Sequence, residues 1–153
     1  MKAIGAWQGG FQTVLADGSA HAVTVDLPRD EGGGDTGTSA LELCVLSLAG
    51  CITTIFALVA KKRRLKFADM RVDLDAARPE GSPTIASVDG VLRIATAAPR
   101  AEVETVLDIT MRTCPVGVLF ERAQIPVHVH LDVVATEPPE QAPRGSSTAP
   151  PGV

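Results

Sequence analysis

The alternation of apolar and polar positions at the start of the chain predicts three short strands. Residues 2–7, 11–15 and 22–27 alternate in this way, and the dipeptides Gly9-Gly10 and Asp17-Gly18 separate them. Period-two alternation interrupted by glycine turns is typical of β-hairpins. The start of the chain is therefore predicted to be an antiparallel meander.

A long apolar segment follows a glycine-rich connection. Residues 43–60 carry no charge, and four basic residues, 61–64, come directly after them. Thr38 or Ser39 can cap a helix here, with Glu42 in its first turn, where a carboxylate is favoured by the helix dipole. The pattern predicts one long helix that ends near Arg64, with the basic run as a solvated helix end.

This helix has two interpretations, because a helix that is apolar all round is either a membrane span or a central helix covered by protein. Its length only just meets the threshold for a span, although its basic flank fits one. Ser47, Gly50 and Thr53 lie within it, and the strands on both sides must share one core. We therefore predict a central helix and no membrane. A chain of 153 residues would need a partner subunit to cover such a helix on every side.

The remaining elements show the same two periodicities. Strands are predicted over residues 70–74, 87–94 and 127–134, and helices over residues 99–111 and 115–122. His128 and His130 share one face of the last strand and are expected at a strand or dimer surface. Residues 1–135 are predicted to be one domain, and residues 136–153, rich in Pro, Gly and Ser, a disordered tail.

Charge and composition exclude several classes of function. The net charge is −4, tyrosine is absent, and Trp7 is the sole tryptophan, so nucleic acid is not predicted as a partner. There is no Cys-x-x-Cys, and the histidines are distant from the cysteines, so no metal is predicted. Three cysteines without a secretory signal predict a reducing, cytoplasmic setting.

The cysteines are the candidate reactive groups. Cys51 lies inside the apolar helix, where a free cysteine is often core filler. Cys114 precedes Pro115, and proline is favoured in the first turn of a helix. Cys114 is therefore predicted to cap a helix whose unpaired amides lower its pKa. Cys44 lies seven residues before Cys51 on nearly the same helix face, too distant for a disulfide within one helix, and is predicted to be a core residue.

Three short motifs resemble those of the OsmC/Ohr superfamily, and of its OsmC-like branch more than of the dedicated organic hydroperoxide reductases. They are Thr38-Ser39-Ala40-Leu41-Glu42-Leu43, Leu48-Ala49-Gly50-Cys51 and Thr113-Cys114-Pro115-Val116. The resemblance covers about residues 1–135. It implies an α+β, OsmC-like fold, with antiparallel sheets wrapped around long central helices in an intertwined homodimer.

The resemblance also implies a thiol-dependent peroxidase that reduces organic hydroperoxides or hydrogen peroxide. Cys51 would be oxidised to a sulfenic acid, and Cys114 would condense with it to a disulfide. A dithiol or a lipoylated protein would then reduce the pair. No metal or organic cofactor is implied. Glu42 matches a carboxylate that orients the site, but nine positions from Cys51 it lies about half a turn away around the helix.

The chain departs from the family pattern at one position. Peroxidase members carry an arginine in the N-terminal strands that pairs with the reactive thiolate, whereas here no arginine precedes Arg29. Arg29 and Arg112 are the candidates to replace it. The alternative to an enzyme is a non-catalytic OsmC-fold protein that binds a small apolar ligand or senses redox state through the same thiols.

Overall fold

The first three strands form the predicted antiparallel meander. In the computed structural model, which describes residues 1–136, β1 (Ile4–Gly9), β2 (Gln12–Ala16) and β3 (Ala22–Val25) pair in that order. Gly9 and Gly10 turn between β1 and β2 with positive φ angles of 118° and 54°, a region that other residues rarely adopt. The predicted tail lies outside the described residues, apart from Thr136.

A buried aspartate organises the connection from β3 to the long helix. Asp26 is 4% exposed. Its carboxylate accepts hydrogen bonds from the amides of Leu27, Gly34 and Thr36 and from the Thr36 hydroxyl. These bonds, that of the Thr36 side chain foremost, hold the pKa of Asp26 below its usual value. The glycine-rich loop is therefore tied to the end of β3 by one ionised side chain.

The apolar segment forms one helix, α1 (Ala40–Arg63), as predicted. Ser39 is its N-cap and forms a capping box with Glu42, so each side chain accepts a hydrogen bond from the other residue's amide. The helix ends at Arg64, which adopts a left-handed conformation with φ of 61°. The predicted boundaries are confirmed because both ends carry a local signal.

The second half of the chain forms a mixed sheet covered by helices. The strands β4 (Asp69–Ala77) and β5 (Ser87–Thr96) are antiparallel, whereas β5 and β6 (Val127–Ala135) are parallel. The expectation of wholly antiparallel sheets is therefore wrong. Two helices, α2 (Arg100–Thr113) and α3 (Pro115–Arg122), lie between β5 and β6 and form the crossover that parallel neighbours need.

The core lies between α1, the second sheet and the two crossover helices. Phe56 of α1 is fully buried, and its ring meets that of Phe67 edge to face at 6.1 Å between centroids. Four buried residues spaced four apart place one face of α1 in this core: Leu48, Ile52, Phe56 and Ala60. Cys114 belongs to the same cluster.

The first sheet and the opposite face of α1 remain uncovered in the single chain. Every residue of β1 except Gly9 is exposed, and Trp7 is 73% exposed. On α1, Leu46 and Leu58 are 56% and 50% exposed. A three-stranded sheet needs an apolar face packed against another layer to be stable. Apolar side chains of β1 and of the outer face of α1 are therefore exposed to solvent in the single chain.

Among residues 1–136, α1 is the one helix long and apolar enough to cross a membrane, by length and composition only. That test is weak, because the core helix of a soluble protein also passes it. The four core residues of α1 pack against protein here.

Candidate active site

The fold brings together two cysteines that are distant in sequence. Cys51 lies in the middle of α1, and Cys114 lies between α2 and α3. Their sulfur atoms are 2.8 Å apart, and the Cys114 thiol donates a hydrogen bond to the Cys51 sulfur. Both thiols are free. Close contact of two free thiols is the geometry from which a disulfide forms with little movement.

Local sequence fixes the position of Cys114. Its amide donates to the Thr110 carbonyl and closes α2, while its extended backbone, with φ of −65° and ψ of 112°, begins α3. Pro115 occupies the first turn of α3, where a missing amide proton costs nothing. The amide of Gly117 donates to the Cys114 sulfur at 3.3 Å. The predicted cap position is therefore confirmed.

The prediction that capping lowers the pKa of Cys114 is wrong. Burial, and after it the hydrogen bond to Cys51, raise the pKa of this thiol to about 11, although the Gly117 amide opposes both effects in part. The side chain is wholly inaccessible to solvent. Cys114 is therefore held as a thiol at neutral pH, which suits a hydrogen-bond donor.

Cys51 is the accessible member of the pair. It is half-buried, whereas Cys114 is fully buried. In the single chain Cys51, and not Cys114, is therefore in part exposed to solvent. The Cys51 sulfur is also the acceptor of the Cys114 hydrogen bond.

Glu42 lies at the start of α1, away from the two sulfurs. Its carboxylate accepts from the Ser39 amide at 2.8 Å and from the Thr38 hydroxyl at 3.1 Å. These hydrogen bonds, the Ser39 amide first, lower the pKa of Glu42. The structure gives Glu42 a capping role, and its role at the thiols stays a prediction.

Variants of the capping box separate these two roles. We expect Ser39→Ala to lower the free energy of unfolding by about 1 kcal/mol, because one amide of the first turn loses its partner. Glu42→Gln keeps a capping side chain but removes the charge. Chemical denaturation at several pH values measures both effects.

The pH dependence follows from the sign of the shift. Because folding lowers the pKa of Glu42 from the usual 4.5, its contribution to stability is present above that value and is lost as the pH falls through the folded-state pKa. In Glu42→Gln this part of the acid destabilisation should be missing. A fall in peroxide turnover in Glu42→Gln that Ser39→Ala does not share would instead place the carboxylate at the thiols.

Neither candidate arginine contacts the thiols. Arg29 is exposed in the 3₁₀ turn Arg29–Glu31, and Arg112 is exposed near the end of α2. Arg112 lines a cavity of about 440 Å³ that also includes Gly117. No cation is among the influences on the pKa of Cys114. Within the part of the chain that the structure describes, the pKa of the Cys114 thiol is set by burial, by the Cys51 sulfur and by backbone amides.

The structure agrees with some of the remaining sequence predictions and contradicts another. Cys44 is exposed, so the prediction that it is a core residue is wrong for the single chain. His128 and His130 are exposed on β6, between half-buried apolar neighbours, as their alternation predicts. No group of three or more His, Cys, Asp or Glu side chains in residues 1–136 is placed to hold a metal ion.

The sequence analysis did not identify Gly117 as a residue of the site. Gly117 supplies an amide to the Cys114 sulfur and leaves space beside it, since a Cβ at this position would lie 3.5 Å from that sulfur. The spacing carried the signal, because the side chain of an N-cap residue bonds the amide two or three positions later.

The fold is that of OsmC-like and hydroperoxide-resistance proteins. The OsmC-like protein from Mycoplasma pneumoniae superposes with a TM-score of 0.75 at 13% identity, covering 89% of this chain and 96% of that chain. An organic hydroperoxide resistance protein from Elizabethkingia anophelis gives 0.66 at 18% identity, covering 88% and 95%. The organic hydroperoxide resistance protein OsmC from Legionella pneumophila gives 0.59 at 19% identity, covering 87% and 96%.

Sequence comparison gives the family. The model of the OsmC-like protein family matches residues 32–130, so this chain belongs to that family. Among curated proteins, none matches the chain.

Proposed function

We propose that this protein is a thiol-dependent peroxidase in which Cys51 is the nucleophile and Cys114 the resolving thiol. The observation that carries the proposal is the contact of the two sulfurs at 2.8 Å, with Cys114 as donor and Cys51 as acceptor. Cys51, the more exposed residue, reacts with the peroxide, and the buried Cys114 lies next to it. The more exposed cysteine is thus the proposed nucleophile, and the buried cysteine is the proposed resolving thiol.

The chemistry needs only these two groups. The Cys51 thiolate attacks one oxygen of the peroxide, the O–O bond breaks, and the leaving alkoxide takes up a proton to become an alcohol. The Cys51 sulfenic acid then reacts with the Cys114 sulfur, which gives up its proton as the S–S bond forms and water leaves. Two thiols are thereby oxidised, and a dithiol, free or on a lipoylated protein, restores them.

Organic hydroperoxides are the proposed main substrates, with hydrogen peroxide as the smaller alternative. Two of the superposed proteins are named for organic hydroperoxide resistance. Ile55 of α1 and Met111 of α2 pack, like Cys51, against the buried hydrophobic core. An apolar surround favours an alkyl substituent on the substrate.

We further propose that the active form is a homodimer. The first sheet and the outer face of α1, with Trp7, Leu46 and Leu58, expose apolar side chains that a second copy would cover. In a dimer, protein would cover the apolar helix on every side, as an all-round apolar helix needs. Sedimentation of the purified protein without detergent tests both the dimer and the membrane alternative.

One observation favours a second candidate, a redox sensor or ligand-binding protein that keeps the thiols without turnover. No cation is among the influences on the pKa of Cys114. The N-terminal strands also contain no arginine that could pair with a thiolate. A thiol pair without such activation could form its disulfide reversibly but react slowly with peroxide.

Peroxide consumption under turnover distinguishes the two. With excess dithiothreitol, a peroxidase removes many equivalents of cumene hydroperoxide per chain, and hydrogen peroxide more slowly. A sensor consumes about one equivalent and stops. Cys44→Ser is the matched control, because the Cys44 thiol is on the same helix but donates to the Ala40 carbonyl and not to either sulfur of the pair, and we expect it to retain the wild-type rate.

A further inference from the structure

We propose that the reductant attacks the Cys51 sulfur of the disulfide, so that the mixed disulfide forms on α1 and Cys114 is the group that leaves. The inference rests on the proposed function only in taking Cys51 and Cys114 as the disulfide partners. Its basis is the unequal surroundings of the two sulfurs.

Access separates the two sulfurs. Thiol–disulfide exchange requires the incoming thiolate to touch the sulfur that it attacks, and access decides which sulfur that is. Cys114 has no accessible surface and lies within the buried cluster of α1, α2 and α3. Cys51 is half-buried. In the single chain, direct attack on Cys114 would require the core to open, whereas attack on the half-buried Cys51 would not.

The leaving groups are also unequal. When Cys51 is attacked, the departing Cys114 sulfur keeps the hydrogen bond from the Gly117 amide at the start of α3. When Cys114 is attacked, the departing Cys51 sulfur has no such partner. Its one hydrogen bond in residues 1–136 comes from the Cys114 thiol, which has no proton to donate once its sulfur is in a mixed disulfide.

The steps balance in both thiols and electrons. A reductant thiolate bonds to the Cys51 sulfur, the Cys51–Cys114 bond breaks, and the Cys114 thiolate takes up a proton. The second thiol of the reductant then attacks the reductant's own sulfur in the mixed disulfide. This releases Cys51 as a thiolate and leaves the reductant as a disulfide that has supplied two electrons.

Mapping the mixed disulfide tests the inference without any need for peroxide. The Cys44→Ser protein is oxidised with diamide and desalted. It then receives glutathione, a monothiol that cannot complete the second step, and is quenched with acid and N-ethylmaleimide. Peptide mass spectrometry should find glutathione on Cys51 and maleimide on Cys114, with at least about a tenfold excess over the reverse pattern.

A second measurement uses single-thiol variants in the same Cys44→Ser background. Cys114→Ser and Cys51→Ser each carry one remaining thiol of the pair as a mixed disulfide with thionitrobenzoate. Glutathione should release the yellow anion from Cys51 at least about tenfold faster than from Cys114.

Three results would overturn the inference. Glutathione found mainly on Cys114 would do so, as would equal release rates, and so would failure of diamide to form the disulfide. If diamide forms the disulfide and peroxide does not, the proposed peroxidase function fails while the site of attack remains measurable.

Discussion

Replacing Cys51 with serine is expected to reduce the consumption of organic hydroperoxide by about three orders of magnitude or more, as removal of an essential nucleophile does in other enzymes. A serine hydroxyl stays protonated at neutral pH and is a poor nucleophile towards peroxide. Cys114 cannot take over, because it is fully buried and its pKa is raised to about 11.

The comparison with Cys44→Ser makes this result specific. Cys44 is on the same helix and is exposed, so general loss of a thiol from α1 is controlled for. Turnover in Cys51→Ser at the wild-type rate, with Cys44→Ser also active, would show that the peroxide reacts elsewhere. Circular dichroism of both variants verifies that α1 is intact.

Truncation of Phe56 is expected to have the largest effect on stability. Phe56 is fully buried on the core face of α1, and its ring packs edge to face against Phe67. Phe56→Ala should lower the free energy of unfolding by about 3–5 kcal/mol, through lost apolar burial and the cavity left behind. That is a large part of the 5–15 kcal/mol typical of a whole domain.

Leu119→Ala is the matched control. Leu119 is 63% exposed on α3, so its truncation should change the free energy of unfolding by about 0.5 kcal/mol or less. Urea denaturation of the two variants gives the comparison. Equal losses would contradict the assignment of the core to the Phe56 face of α1.

Local signals predicted the helices well. Ser39 and Glu42 marked the start of α1, the basic run marked its end, and Pro115 marked the start of α3. Each of these signals depends on hydrogen bonds or charges between residues a few positions apart. Both partners of the interaction can therefore be recognised in one short stretch of sequence. The same locality placed Cys114 correctly at the cap.

Properties set by distant parts of the chain were not predictable in this way. The parallel pairing of β5 with β6 depends on the path of the two helices between them, which alternation within a strand does not reveal. The pKa of Cys114 follows from burial against α1 and from the Cys51 sulfur, which outweigh the local amide. The exposure of Cys44 likewise depends on which face of α1 turns to the core.

The most direct test of the account is to titrate the reduced protein with one equivalent of cumene hydroperoxide, count the remaining thiols, and map disulfides by mass spectrometry. We expect rapid loss of two thiols per chain, a bond between Cys51 and Cys114, and Cys44 still reduced. Three thiols that survive the peroxide, or a disulfide that includes Cys44, would contradict the account.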